Sequence, residues 1–172
     1  MKKVILFFVL LFAISCNDGD LDISSFEFED TVNICGTNKY TLYRLSTNEQ
    51  RESLIVTLTD QQIRKDEDLV LPVNVSENGD YTVTYRLFDD QLTSDYFCSA
   101  VPPVEPKVLK DWRGVSGTIV VQNEPIYDTD GENITGWKHY VVLIDVVLRV
   151  DDQELKLDET FVFGTAQTGP AS

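Results

Sequence analysis

The stretch Ile134–Val150, ITGWKHYVVLIDVVLRV, constrains the fold of this chain more than any other. From Tyr140 its even positions are Tyr140, Val142, Ile144, Val146, Leu148 and Val150. Its odd positions, from Trp137, are Trp137, His139, Val141, Leu143, Asp145, Val147 and Arg149. An apolar row at period two beside a mixed row marks a strand with one face on a core. The β-branched and aromatic side chains suit a pleated, half-buried surface. This pattern puts the even row inward and places Trp137 and His139 on the outer, mixed face. A strand of this length is expected to bend or bulge, because strands commonly run about 5–6 residues.

Its neighbours in sequence extend the pattern. Upstream, Val115, Gly117, Ile119 and Val121 form an apolar set, and Asp130-Gly131 between the two runs is a type I′ hairpin signal. With that pair at the turn centre, Ile119 opposes Val142, Val121 opposes Tyr140, and Glu124 is the cross-strand neighbour of Trp137. Leu155, Leu157, Phe161 and Phe163 make a further apolar set, so Ile134–Val150 is expected in the middle of a three-stranded antiparallel meander.

Shorter alternating runs occupy the rest. Phe26, Phe28, Val32 and Ile34 form one, residues 40–45 a second, and Leu54, Val56 and Leu58 a third. Leu69, Leu71, Val73 and Val75 form a fourth, in which Pro72 argues for an edge position. Tyr81, Val83, Tyr85 and Leu87 form a fifth. Residues 60–68 are a polar connection with a helical turn capped by Asp60. Residues 89–114, with Pro102, Pro103 and Pro106, read as an extended crossover packed on the surface and held at its start by Cys98. The fold class is therefore all-β: an antiparallel β-sandwich of about eight strands, with a β-barrel as the alternative.

The first residues carry a different signal. Lys2 and Lys3 precede an apolar run over 4–14 that is too short to cross a bilayer, then Ser15 and Cys16. This resembles a bacterial lipoprotein signal, although Ala13 and Ile14 depart from the usual residues before the cysteine. The resemblance implies cleavage before Cys16 and acylation of its thiol. The organisation expected is a signal peptide at 1–15, a lipidated cysteine and acidic tether at 16–25, a single β-sandwich domain at 26–165 and a C-terminal tail at 166–172. Of three cysteines, lipidation of Cys16 leaves Cys35 and Cys98, an even number expected to pair. Asp18, Asp20 and Asp22 resemble the surface-export signal of Bacteroidetes lipoproteins, which implies the outer membrane, with the cell surface favoured over the periplasm.

A wider resemblance rests on SDYFCS at 94–99, PPVEP at 102–106, a strand opening on Gly117-Thr118, an acidic turn, and ITGW at 134–137. Together these resemble uncharacterised outer-membrane lipoproteins of the Flavobacteria. The resemblance covers residues 34–164 and implies lineage and location, with no activity to carry to any residue.

The formal net charge of −15 opposes nucleic acid and anionic polysaccharide as partners. The expected partners are the membrane, through the anchor, and a glycan or an envelope protein. His139 is the sole histidine, and no G-x-S-x-G stretch accompanies it, which disfavours nucleophile–histidine catalysis; clustered zinc ligands are missing too. Abundant carboxylates keep a glycosidase-like hydrolase as an alternative. Asp128, Asp130, Glu132 and Asn133 offer oxygen ligands suited to Ca²⁺, but their spacing fails the EF-hand pattern, and a solvated hairpin turn is the stronger reading. Trp137 on the outer face, with His139 and Glu124 beside it, is the candidate surface for stacking and hydrogen-bonding a sugar. The function expected is a lipid-anchored, non-catalytic envelope protein, structural or ligand-binding, without a cofactor unless Ca²⁺ binds. The alternatives are the carboxylate hydrolase and a carbohydrate-binding accessory lipoprotein.

Overall fold

A computed structural model describes residues 26–63, 70–93, 95–99, 101 and 103–169. The leader, Cys16 and the tether lie outside the described residues. The strands are β1 (Asn33–Gly36), β2 (Lys39–Leu45), β3 (Glu52–Thr59), β4 (Val70–Asn74), β5 (Thr82–Phe88), β6 (Val108–Tyr127), β7 (Ile134–Val150), β8 (Gln153–Lys156) and β9 (Thr160–Thr168). All nine belong to one antiparallel sheet in the order β1-β2-β3-β5-β6-β7-β8, with β4 on the edge of β6 and β9 on the edge of β7. The described residues contain no helix. The class is all-β as expected, and the sheet curls on itself into a half-barrel, the closer fit being the barrel alternative.

The β6–β7 hairpin is the spine. β6 holds β5 along Val108–Arg113 and β4 along Thr118–Gln122; β7 holds β9 along its first half and β8 along its second. Residues 108–114, read from sequence as part of the crossover, are thus strand. Pro72 lies on an edge strand, where its missing N–H costs no ladder bond.

The inward face of β7 differs from the sequence expectation, and the cause is local. At the turn the register is the expected one, Tyr127 opposite Ile134. The next pair is Ile126 with Gly136, so Thr135 is an extra residue. Beyond this bulge Ile119 opposes Leu143, Val121 opposes Val141, and Pro125 rather than Glu124 opposes Trp137. A one-residue slip exchanges the two faces of a strand. Trp137, His139, Val141 and Leu143 therefore point inward, while Tyr140 is exposed.

A second exchange follows at Asp145. Asp145 takes a left-handed conformation, φ 49°, and with Val146 it faces Gly117 alone, φ 116°. Past it the even row is inward, with Val146 and Leu148 fully buried. On β6, Val115 is an extra residue, and the parity there exchanges in step, from Trp112 to Ile119 and Val121. The expected third strand of the meander also breaks opposite Asp145, whose N–H donates to the Glu159 carbonyl at 3.0 Å. It becomes β8 and β9, with Leu155, Leu157, Phe161 and Phe163 all on the interior side as expected. β9 runs to Thr168 with Ala166 fully buried, so the strand enters what the sequence assigns to the tail.

Two apolar clusters result. The interior one lies inside the curl, around Leu54, Val56, Val83, Ile119, Leu143 and Phe163. The outer one forms where residues 89–99 lay Leu92, Tyr96 and Phe97 over Tyr43, Ile55 and Phe88, so β3 is buried on both faces. The Cys35–Cys98 disulfide, Cα–Cα 5.6 Å, fastens this arm to β1 as expected. After β3, Thr59 rather than Asp60 closes the turn, accepting the Gln61 N–H on Oγ1 at 3.3 Å and the Ile63 N–H on its carbonyl at 3.3 Å.

Candidate functional site

The three residues expected to form a sugar-stacking surface are not brought together. Trp137 is 4% exposed and His139 is fully buried, both in the interior, so neither can meet a ligand on the outer face. Glu124 lies on the opposite face, exposed and 4.0 Å from Lys138. The Thr135 bulge is the reason: it turns Trp137 inward.

His139 instead belongs to a directed polar chain. Asn123 Nδ2 donates to the Gln62 carbonyl at 3.0 Å, which turns its Oδ1 toward His139 Nδ1, 2.6 Å away. Nδ1 therefore carries the proton, and Nε2 accepts from Thr168 Oγ1 at 2.8 Å. Hydroxyl, imidazole and amide follow in the order of a nucleophile, a base and its orienting group. Burial lowers the His139 pKa to about 4, which makes it a poor base near neutrality, and none of the described cavities reaches it. The chain satisfies buried polar groups and fixes the end of β9 to β7.

The turn at 128–133 is closed by its own hydrogen bonds. Asp128 Oδ1 accepts from the N–H groups of Glu132 and Asn133, and Oδ2 accepts from Asn133 Nδ2 at 2.7 Å. These bonds, the Asn133 side chain foremost, hold the Asp128 carboxyl below its ordinary range. Gly131 alone takes the left-handed conformation here, φ 74°, so the turn is not the type I′ pair expected for Asp130-Gly131. Among the described residues no three His, Cys, Asp or Glu side chains gather to hold a metal, those of Asp128, Asp130 and Glu132 included.

A site that sequence reasoning missed lies at the other end of the hairpin. The turn between β2 and β3 places both Glu49, φ 54°, and Gln50, φ 50°, in the left-handed region. Two consecutive non-glycine residues there are costly and persist only where the surroundings determine them. Here the Leu92 N–H takes the Gln50 carbonyl at 2.9 Å, and Ser46 Oγ donates to the Asn48 carbonyl at 3.1 Å. The Gln50 side chain then stands between two others: Gln91 Nε2 donates to its Oε1 at 3.0 Å, and its Nε2 donates to Glu29 Oε1 at 2.5 Å.

This relay of Gln91, Gln50 and Glu29 runs along a groove of about 560 Å³ that Leu45 and Leu92 also line. A second trough of about 520 Å³ shares Gln91 and Thr93 with it and adds Asp89, Asp90 and Glu105. Three elements position the relay. An isolated bridge from Phe28 to Ser46 brings Glu29 beside the turn, the turn supplies Gln50, and the disulfide-tied arm supplies Gln91. No sequence signal joins residues 29, 50 and 91; only the curl of the sheet does.

Glu29 is the one carboxylate among the described residues lining the groove, whereas glycosidase chemistry uses a pair. The buried carboxylate Glu52 lies elsewhere, hydrogen-bonded to the Tyr85 hydroxyl, whose pKa is raised by burial and by that carboxylate. Comparison with protein-family models, with curated proteins and with solved structures finds no match for this chain.

Proposed function

We propose that this chain is a lipid-anchored, non-catalytic binding protein of the bacterial outer membrane, facing the cell surface and akin to flavobacterial lipoproteins. Its ligand is a neutral, polyhydroxylated molecule, a glycan, held in the groove beside Glu29, Gln50 and Gln91. The observation that carries this reading is the side-chain relay of those three residues over an apolar floor, built on a turn with two left-handed residues. Carboxamides offer a donor and an acceptor side by side, as sugar hydroxyls do. Leu45 and Leu92, almost fully buried, close the floor beneath these side chains. The acidic surface favours neutral over anionic glycans. The leader and Cys16 support the envelope location.

A glycan array probed with the chain from Cys16 onward tests the reading. The expected result is a neutral glycan whose binding falls about fivefold in Gln50→Ala with folding intact, one lost hydrogen bond being worth about 1 kcal/mol. Failure to bind any neutral glycan, or binding by Gln50→Ala and Gln91→Ala as tight as that of the wild type, sinks it. Fractionation of cells expressing Cys16→Ser tests the anchor separately; a variant that still sediments with the outer membrane removes the lipoprotein reading.

A further inference from the structure

We propose that the side chains of Val101, Val104, Val108 and Leu109 dip into the outer leaflet of the membrane that carries the anchor, so that the domain stands on the bilayer in one orientation. The inference rests on the reading of Cys16 as acylated.

Four of the nine exposed large apolar side chains among the described residues fall in this short stretch: Val101 at 79%, Val104 at 84%, Val108 at 42% and Leu109 at 59%. They are held out rather than left loose. On one side Cys98 is tied to Cys35. On the other, Tyr96 Oη donates to the Pro106 carbonyl at 3.1 Å, and the Lys107 N–H donates to Asp89 Oδ1 at 2.7 Å. The sheet face on which these side chains could fold down is already covered by Leu92, Tyr96 and Phe97. Glu105 is paired with Lys107 at 3.1 Å, which leaves the stretch without net charge in a strongly acidic protein.

The described chain enters at the same end. The Phe26 ring lies 5.0 Å from Tyr85, Tyr85 lies 5.0 Å from Trp112, and Lys110 Nζ, next in sequence to Leu109, lies 5.2 Å from the Trp112 ring. From Cys16 to Phe26 a fully extended chain spans at most about 35 Å. Val108 and the 128–133 turn lie at opposite ends of β6, whose contour of about 60 Å, at about 3.3 Å per residue, is shortened by its bulges and by the curl of the sheet. An anchor at Cys16 therefore joins the domain at the end that carries the apolar stretch, opposite the 128–133 turn. Four small apolar side chains are too little surface for an independent protein partner, but the tether keeps a lipid surface at high effective concentration. Lys107 and Lys110 can extend their ammonium groups to lipid phosphates.

The test uses the acylated protein purified from membranes and vesicles of phosphatidylethanolamine and phosphatidylglycerol, with and without brominated acyl chains. Flotation reports the anchor; tryptophan emission reports depth. Val104→Trp is expected to float and to lose up to about a third of its emission in brominated vesicles, the share of the added indole beside the buried Trp112 and Trp137, as side chains at the headgroup–acyl boundary should. Ile134→Trp, at the far turn, floats without added quenching over the wild type. Flotation with Val104→Trp unquenched assigns the stretch to a protein partner and overturns the proposal while the anchor stands. Equal quenching at both positions also overturns it. Failure to float overturns the anchor reading and the proposal together.

Discussion

Arg44 on β2 donates from Nη1 to the carbonyl of Phe163 on β9 at 3.0 Å, across 119 residues of chain. The same guanidinium donates from Nε to the Glu29 carbonyl at 2.7 Å and from Nη2 to the Phe28 carbonyl at 3.1 Å. The planar fork thus holds together three segments where the curled sheet comes back on itself and no ladder joins β9 to β1 or β2. Burial lowers the Arg44 pKa, and Asp30 opposes that, yet an arginine stays charged under all ordinary conditions. Arg44→Met is expected to destabilise by about 3 kcal/mol, because it leaves three carbonyls without their donor. Arg44→Lys should cost about 2 kcal/mol, since one ammonium lacks the fork. Urea midpoints measure both. Asp30→Asn should leave the midpoint unchanged, its carboxylate being fully in solvent 4.0 Å from the guanidinium.

The bulge at Asp145 depends on the glycine across from it. A Cβ on Gly117 would lie 2.7 Å from Val146 Cα and 2.9 Å from the Ile144 carbonyl oxygen, on a backbone with φ 116°. Gly117→Ala should therefore destabilise by more than about 2 kcal/mol, through the strained conformation and the clash with backbone that cannot move aside. Asp145→Gly, at the partner position, should change stability little or raise it by less than about 1 kcal/mol. Thermal melts of the two variants decide; equal losses would show that the bulge is not where the constraint lies.

These bulges also set what could be read from sequence. The apolar alternation of Ile134–Val150 identified a core strand, and the turn register was right at Tyr127 and Ile134. Both rows of that strand are apolar enough to be buried, so parity alone could not say where they exchange. Thr135 carries no glycine or proline to mark its bulge; where the second exchange occurs, Gly117 reads as a member of its strand's apolar set and Asp145 as an ordinary position of the mixed row. The disulfide was legible because three cysteines, one of them read as lipidated, leave a single pair. Pro72 marked an edge, since proline has no other place in a sheet. The groove was not legible, because Glu29, Gln50 and Gln91 are ordinary polar residues until the curl of the sheet and the tied arm gather them.

Removing the disulfide tests how the arm is held. Cys35 and Cys98 are 63 residues apart, for which chain entropy alone gives about 4 kcal/mol. The double variant Cys35→Ala, Cys98→Ala should lose roughly that much by urea denaturation. Amide exchange should speed up first at Leu92, Tyr96 and Phe97, which pack on the outer cluster, while Val141 and Leu143 in the interior stay protected until global unfolding. Uniform acceleration throughout would contradict a separately held arm. Loss of the arm should also weaken any ligand of the groove, because Gln91 and Thr93 belong to it.

His139 should make the fold acid-sensitive above the range in which carboxylates titrate. Its folded pKa is lowered to about 4 by burial, against about 6.5 in an unfolded chain. The neutral ring is the form the fold binds, so its contribution is fully present above about pH 6.5. It declines as pH falls through 6.5 and is gone near pH 4, once the folded state also takes up the proton. Between pH 7.5 and 5 the linkage amounts to about 2 kcal/mol. Urea midpoints across that interval should fall in the wild type. His139→Gln, which can still hydrogen-bond Asn123 and Thr168, should be less stable at pH 7.5 but nearly flat down to pH 5. A variant that retained the full wild-type slope would place the titrating group elsewhere.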